Sequence, residues 1–214
     1  MQTSLQRIAE KSALQKEHRF QNLMMLLTFN LLEWCWKKLN KGSAPGVDRI
    51  TAKEYGENLN SNIADLLDSV KKGSYRAKLI LRRYIPKLGG KLRPLGIPAI
   101  SDKLLQMAVT VILESIYESI FLTCSFGYRP RIGALDAIKE LSFHLQFKGY
   151  NYIVEADIRS FFDNINHDLL IEMLSKKIDD KPFLILIGKW LKAGVLEDGK
   201  VINPTQQQVN HKVE

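Results

Sequence analysis

The pattern of apolar and polar residues predicts six helical regions. In each region the apolar side chains recur every three to five positions, which is the spacing of one buried helical face. Thr51 and Glu54 have the spacing of a capping box, and Ser101 is a predicted N-cap. The predicted helices cover residues 14–39 with or without a break, 51–73, 101–121 and 134–147, then a helix that starts within 164–167, and finally 183–191.

Three other stretches have the pattern of strands. Residues 75–97 alternate between apolar and basic positions around a central glycine pair, which predicts a β-hairpin with a basic face. Residues 195–202 contain an Asp-Gly pair and predict a second, tight hairpin. The apolar run 151–157 predicts a buried strand that ends at Asp157. Helices and hairpins in this order predict an α+β fold, because a doubly wound sheet needs regular strand-helix alternation.

Composition and charge narrow the class of partner. The chain has 214 residues, of which 45% are hydrophobic, and a formal net charge of +8. It can therefore form a sizeable core and is expected to bind a polyanion. The segment from Lys71 to Arg93 contains only basic residues among its charged positions. A solvated surface ordinarily mixes both signs, so we expect a nucleic acid, rather than a membrane surface, as the partner.

The cysteines and the ends of the chain predict a cytoplasmic protein. Cys35 and Cys124 are far apart and have no CxxC spacing, which predicts two buried thiols rather than a disulfide or a zinc site. No signal-peptide pattern occurs at the N-terminus, and no apolar run approaches the roughly 20 residues of a membrane span.

Asp157 is the residue whose position most strongly suggests chemistry. A carboxylate at the end of a buried strand either caps a turn, pairs with a cation or holds a hard metal ion such as magnesium. The residues alone leave these three alternatives open. A phosphatase that uses an aspartate nucleophile would need a second aspartate two positions later, where this chain has Arg159.

Four motifs give the chain a resemblance to a known family. The runs GSAPGVDRIT, YIPKLGGKLRPLGIP, SFGYRP and VEADIRSFFDNINHDLL occur in this order, and they resemble the N-terminal blocks of group II intron reverse transcriptases, also called maturases. The resemblance implies a right-hand polymerase fold with fingers, a truncated palm and no thumb. Residues 1–150 would be the fingers, with an N-terminal helical extension that grips RNA, and 151–214 a partial palm.

The resemblance also implies roles for individual residues. Asp157 would be a catalytic, magnesium-binding carboxylate, and the carbonyl of Ile158 would lie beside it. Phe162 would be the aromatic gate against the ribose 2′-hydroxyl, while Lys87 and Arg93 would contact the incoming deoxynucleoside triphosphate. Contact with RNA is expected for Arg82, Arg83, Lys91 and Arg129, although Arg129 could instead cap the following helix.

Departures from the family pattern lead to an expectation of inactivity. The family has proline where this chain has Ala77 and arginine where it has Leu81. Its Tyr-Ala-Asp-Asp box, which completes the site for two Mg²⁺ ions, has no counterpart here, and one carboxylate cannot hold two such ions. We expect a fragment that binds template and group II intron RNA without synthesising DNA. The alternative is a stand-alone RNA-binding module, and an uncovered palm surface is a candidate homodimer interface.

Overall fold

The computed structural model describes residues 2–86, 90, 92–159 and 161–203. Within them, four strands form one sheet in the order β2-β1-β3-β4. The pairs β1·β2 and β3·β4 are antiparallel hairpins, whereas β1 and β3 run parallel to each other. The strands are β1 (Ile80–Pro86), β2 (Leu92–Ile97), β3 (Val195–Glu197) and β4 (Lys200–Ile202). Both predicted hairpins are thus confirmed, and the observed mixture of helices and sheet agrees with the predicted α+β class.

Helices make up most of the remaining described structure. They are α1 (Gln2–Leu14), α2 (Phe29–Lys38), α3 (Ala52–Glu57), α4 (Leu59–Lys71), α5 (Ile100–Tyr117), α6 (Ala134–Phe147), α7 (His167–Ser175) and α8 (Lys181–Leu191). The helix predicted over 14–39 is shorter than expected, because Asn22 adopts a left-handed conformation and Thr28 caps α2 by accepting a hydrogen bond from the Leu31 N–H. Helix α1 was not predicted.

Helix α5 lies at the centre of the hydrophobic core. It packs against α1 and α2, while α2 packs against α4 and α7 packs against α8. Its fully buried side chains recur three or four positions apart, except for one adjacent leucine pair, so they form one continuous face of the helix. The residues on this face are Leu104, Leu105, Ala108, Ile112 and Ile116. The predicted apolar stripe of this helix is therefore confirmed.

The ends of two helices show how local sequence determines their start. Thr51 and Glu54 form the predicted capping box, in which the Thr51 hydroxyl accepts from the Glu54 N–H and the Glu54 carboxylate accepts from the Thr51 N–H. The prediction that Ser101 caps α5 is wrong, because α5 begins at Ile100 and Ala99 is its N-cap. Ala99 is fully buried, and its backbone lies so close to Gly46 that there is no room for a side chain at position 46.

The predicted strand over 151–157 is wrong. The structure gives these residues no regular secondary structure, and the side chains of Tyr152 and Val154 are 90% and 92% exposed. An apolar, β-prone sequence forms a strand only when a neighbouring strand satisfies its backbone N–H and C=O groups. No strand in the described part of the chain pairs with this segment. Helix α6, which precedes it, forms as predicted but buries none of its residues.

The two cysteines differ in their surroundings. Cys35 is buried, and burial raises the pKa of its thiol to about 11. Cys124 is exposed, so the prediction that both thiols are buried is correct only for Cys35.

Gly46 allows the loop before α3 to pack directly against the start of α5. A Cβ atom at this position would lie 2.6 Å from both the N and the Cα atoms of Ala99. We expect Gly46→Ala to lower the free energy of unfolding by about 1–3 kcal/mol, because two backbones would have to separate. Chemical denaturation followed by circular dichroism measures this change.

Gly42→Ala in the same loop is the matched control. A Cβ at Gly42 would meet only the Asn40 side chain, at 3.4 Å. Equal destabilisation by the two variants would contradict a specific role for the close approach at Gly46.

Candidate nucleic-acid interface

The basic residues of the β1·β2 hairpin divide between its two faces. Arg93 pairs with Ile85 across the two strands, and Arg83 lies two positions from Ile85, so Arg83 and Arg93 share one face. Both arginines are exposed, and neither strand contains an acidic residue. Arg82 lies on the opposite face. The sequence predicted the basic hairpin but did not predict this division.

On its own face, Arg82 lies beside a carboxylate. Its Nε atom is 3.9 Å from Glu197 Oε2 on the neighbouring strand β3, which is an ion-pair distance but too long for a hydrogen bond. The Tyr84 hydroxyl donates a hydrogen bond to the same carboxylate, and this bond raises the pKa of Tyr84. Arg82 therefore neutralises a charge within the sheet, a contact that arises from the β1·β3 pairing.

Lys87 and Lys91, which the sequence assigned to nucleotide and RNA contact, lie outside the described residues. Of the tip between the two strands, only Gly90 is described, and it has a φ of 75°. Glycine adopts this left-handed conformation without the steric cost that a side chain imposes.

Two lysines fix the loop at 40–49 to its neighbours, Lys103 from the first turn of α5 and Lys78 from the segment just before β1. Lys103 Nζ donates to the Ala44 carbonyl at 2.8 Å and to the Ser43 hydroxyl at 3.1 Å. Lys78 Nζ lies 2.8 Å from the Asp48 carboxylate. Lys78 connects the first family-like motif to the segment just before β1, and Lys103 connects it to α5, so the surface of this loop lies against both.

A buried polar network lies directly beneath this surface. Asp102 is 2% exposed, and its carboxylate accepts hydrogen bonds from the Tyr75 hydroxyl at 2.7 Å and the Lys78 N–H at 2.9 Å. Trp190 Nε1 donates to the Tyr75 hydroxyl at 2.7 Å. Burial raises the pKa of Asp102, although both hydrogen bonds act against this rise.

Sequence reasoning did not select Asp102. An acidic residue in the first turn of a helix is usually explained by the helix dipole alone. Its burial depends on Tyr75 and Trp190, which are distant in the sequence, so no local signal could have identified it.

A second basic surface lies where the parallel strands β1 and β3 begin. A cleft of about 510 Å³ is lined by residues 73–77, Lys189 and residues 192–194. Arg76, Lys189 and Lys192 are the charged residues of this lining. Lys189 Nζ already donates to the carbonyls of Gly73 and Tyr75, whereas Arg76 and Lys192 have no ion pair or side-chain hydrogen bond to any other described residue.

Arg129 makes internal contacts in the turn that precedes α6. Its guanidinium donates to the Glu118 carboxylate at 2.9 Å and to the carbonyls of Ser125 and Leu122 at 2.7 and 3.2 Å. It also lies over the Phe121 ring, and its side chain is only 10% exposed. Arg129 thus anchors its own turn and does not cap the following helix, whose N-cap is Gly133.

The residues assigned to catalysis lie in an exposed part of the chain. Asp157 is exposed, and the side chains of Ile158 and Phe162 are 67% and 70% exposed. The Phe161 and Phe162 rings pack edge to face, with their centroids 5.4 Å apart. No hydrogen bond or ion pair joins Asp157 to the hairpin within the described residues.

The described residues do not fit a complete magnesium site. Among them, no group of three or more histidine, cysteine, aspartate or glutamate residues is close enough to hold a metal ion. Asp157 is a suitable single ligand by its chemistry, but Mg²⁺ ordinarily needs further protein or phosphate oxygens. We derive no chemical step through a metal from this chain.

No described helix combines the length and the apolar character that a membrane-spanning helix requires.

Comparison with known proteins identifies the class. The family described as "Reverse transcriptase (RNA-dependent DNA polymerase)" matches residues 85–212, which is more than half of the chain. The chain belongs to the group II intron-encoded reverse transcriptase and maturase family, as its four motifs predicted.

Individual relatives support this family and show how much of each protein is covered. The chain is 43% identical to the group II intron-encoded protein LtrA of Lactococcus lactis over 161 residues, which are 74% of this chain and 26% of LtrA. It is 34% identical to the protein YkfC of Escherichia coli over 202 residues, 90% of this chain and 52% of YkfC. The chain thus spans about a quarter of the length of LtrA and about half of the length of YkfC.

Proposed function

We propose that this chain is the RNA-binding N-terminal portion of a group II intron reverse transcriptase and maturase. The whole protein would perform RNA-directed DNA synthesis and assist the splicing and mobility of its intron. The observation that carries the RNA-binding proposal is the exposed hairpin face with Arg83 and Arg93, on strands without acidic residues. Such a face attracts phosphates through charge and donates hydrogen bonds to them.

In this proposal the chain forms the fingers and part of the palm. Arg93 and Lys87 would contact the phosphates of the nucleoside triphosphate, and RNA would be contacted by Arg83, Arg82 and Lys91 and, in the chain without nucleotide, by Arg93 as well. Because Arg82 also neutralises Glu197, we expect its contribution to be smaller than that of Arg83. The internal contacts of Arg129 give no support to its expected role in RNA binding, which stays an untested prediction.

The carboxylate of Asp157 would be one ligand of a magnesium site that the whole protein completes. Phe162 would exclude the ribose 2′-hydroxyl by its size, and the Ile158 carbonyl would lie beside the metal. The exposure of α6 and of the apolar segment 151–158 supports a portion of a larger protein over a stand-alone module, because exposed apolar surfaces of this kind are usually covered. We propose that the 214-residue chain alone is inactive as a polymerase.

Two measurements on the same preparation test this function. Fluorescence anisotropy with a single-stranded RNA is expected to show binding whose affinity falls steeply as salt rises, because phosphate contacts release counterions. Primer extension on a homopolymer template with Mg²⁺ is expected to show no synthesis above an Asp157→Ala control. Binding that is insensitive to salt would contradict the RNA interface, and Mg²⁺-dependent synthesis that Asp157→Ala abolishes would contradict the proposed inactivity.

A further inference from the structure

Tyr128 has two unfavourable features in the turn between α5 and α6. Its side chain is 97% exposed, so a large aromatic ring lies in water. Its backbone has a φ of 55°, in the left-handed region that bulky residues rarely adopt. Burial would favour the ring, and a right-handed conformation would favour the backbone, but the turn provides neither. Strained residues of this kind occur most often at binding and catalytic sites.

Arg129 accounts for the persistence of this strained conformation. Its guanidinium is bonded to the Glu118 carboxylate at the end of α5 and to two carbonyls within the turn. The Ser125 N–H also donates to the Leu122 carbonyl at 3.0 Å. These bonds fix the backbone on the N-terminal side of Tyr128, so the ring is presented on a well-supported base.

An exposed cation follows Tyr128 in the same turn. Arg131 is exposed and also has a left-handed backbone, with a φ of 65°. An aromatic ring beside an arginine is the combination that binds single-stranded nucleic acid, in which a base stacks on the ring and the cation meets a phosphate. The net charge of +8 favours a polyanionic ligand, and RNA is the polyanion that also offers bases to stack on the ring.

We propose that Tyr128 is a stacking platform for an unpaired base of single-stranded RNA, with Arg131 as its phosphate contact and Arg129 as the residue that positions the turn. This inference rests on the proposed function and specifies one way in which the chain recognises RNA. The hairpin face binds RNA through charge and is indifferent to bases, whereas Tyr128 contacts the base itself.

The test compares two RNA probes and four variants of the full chain. One probe is a single-stranded RNA that contains the fluorescent base 2-aminopurine, and the other is an abasic oligonucleotide of the same length and charge. The variants are Tyr128→Ala, Tyr128→Gly, Tyr128→Phe and the control Tyr152→Ala. Tyr152 is also exposed, at 90%, but has no positive φ, so it controls for the loss of any exposed tyrosine.

Tyr128→Ala and Tyr128→Gly are expected to bind the base-containing RNA about ten-fold more weakly and to lose the quenching of 2-aminopurine. Tyr128→Phe and Tyr152→Ala are expected to stay within about two-fold of the wild type, because both retain the aromatic ring at position 128. Affinity for the abasic probe is expected to be the same for all variants. Tyr128→Gly should melt no lower than the wild type, because glycine accepts the positive φ, and this excludes unfolding as the cause of weaker binding.

Two results would overturn the proposal, and they are distinguishable. If the wild type binds RNA with the expected salt dependence but Tyr128→Ala binds equally well, the stacking role is wrong and the proposed function stands. If the wild type binds neither probe, the proposed function itself fails together with the inference.

Discussion

Tyr75→Phe is expected to lower the free energy of unfolding by about 2–4 kcal/mol, although it removes a single oxygen atom. The Tyr75 hydroxyl donates to buried Asp102 and accepts from Trp190 Nε1, both at 2.7 Å. Leaving a buried polar group without a partner costs about 1–3 kcal/mol, and here two groups lose one. Phenylalanine keeps the edge-to-face contact with the Trp190 ring, so the variant isolates the hydroxyl. Urea denaturation followed by circular dichroism measures the change.

The stability that Tyr75→Phe loses is expected to depend on pH. Burial raises the pKa of Asp102, and the Tyr75 hydrogen bond counteracts that rise, so the pKa of Asp102 should be higher still in the variant. A carboxyl group whose pKa is raised by folding stabilises the folded state when it is protonated, and it becomes destabilising as the pH rises through the folded pKa. The variant should therefore lose less stability at about pH 4 than at about pH 7.

Tyr117→Phe is the matched control for this prediction. Its hydroxyl donates to the Leu174 carbonyl at 3.4 Å, which is a long hydrogen bond, and the expected loss is below about 1 kcal/mol. If the two tyrosine variants lose the same stability, the hydrogen bonds of the Tyr75 hydroxyl in the buried network do not contribute specially to the stability of the fold.

The double variant Arg83→Glu/Arg93→Glu is expected to reduce RNA affinity by about 100-fold or more. Each arginine is exposed on the same hairpin face, and a charge-assisted hydrogen bond contributes about 1.5–3 kcal/mol. The slope of the logarithm of affinity against the logarithm of salt should become shallower by about 1.4 for single-stranded RNA, since two phosphate contacts are lost and each releases about 0.7 counterions. Fluorescence anisotropy between low and moderate salt measures both quantities.

Two controls separate position from total charge. Lys37→Glu/Lys53→Glu changes the net charge by the same amount on α2 and α3, away from the hairpin, and is expected to have a much smaller effect. Arg82→Gln removes a cation from the opposite face, where Glu197 already neutralises it. An unchanged salt slope in the Arg83/Arg93 variant, or an equal loss in the lysine control, would show that this face is not the RNA contact.

The fold was predictable wherever a segment's neighbours in sequence determine its conformation. The Thr51/Glu54 capping box, the apolar face of α5 and the Asp198-Gly199 turn are all local signals, and each is confirmed. The strand predicted to end at Asp157 failed for the opposite reason. Its hydrophobic pattern is compatible with a strand, but strand formation depends on a partner that no local pattern supplies.

For the candidate site, the sequence predicted a basic hairpin and the residues that could bind phosphates, but it could not rank them. Arg82 and Arg83 are adjacent in the chain and chemically identical. The parallel pairing of β1 with β3 brings Glu197 beside Arg82, while Arg83 faces away. Arg129 could not be ranked from the sequence either. Its guanidinium is surrounded by the Glu118 carboxylate and two carbonyls, and these contacts form only in the folded chain.

By itself, the sequence determined the family, the positions of most helices and hairpins, and the concentration of positive charge in one segment. These properties depend on residue order, periodicity and composition, which are fully present in the chain. Only the tertiary structure decided which arginines are exposed, that Asp102 is buried with Tyr75 and Trp190, and that Tyr128 is presented to solvent in a strained turn. Such properties arise from contacts between residues that are distant in the sequence, and those contacts form only when the chain folds.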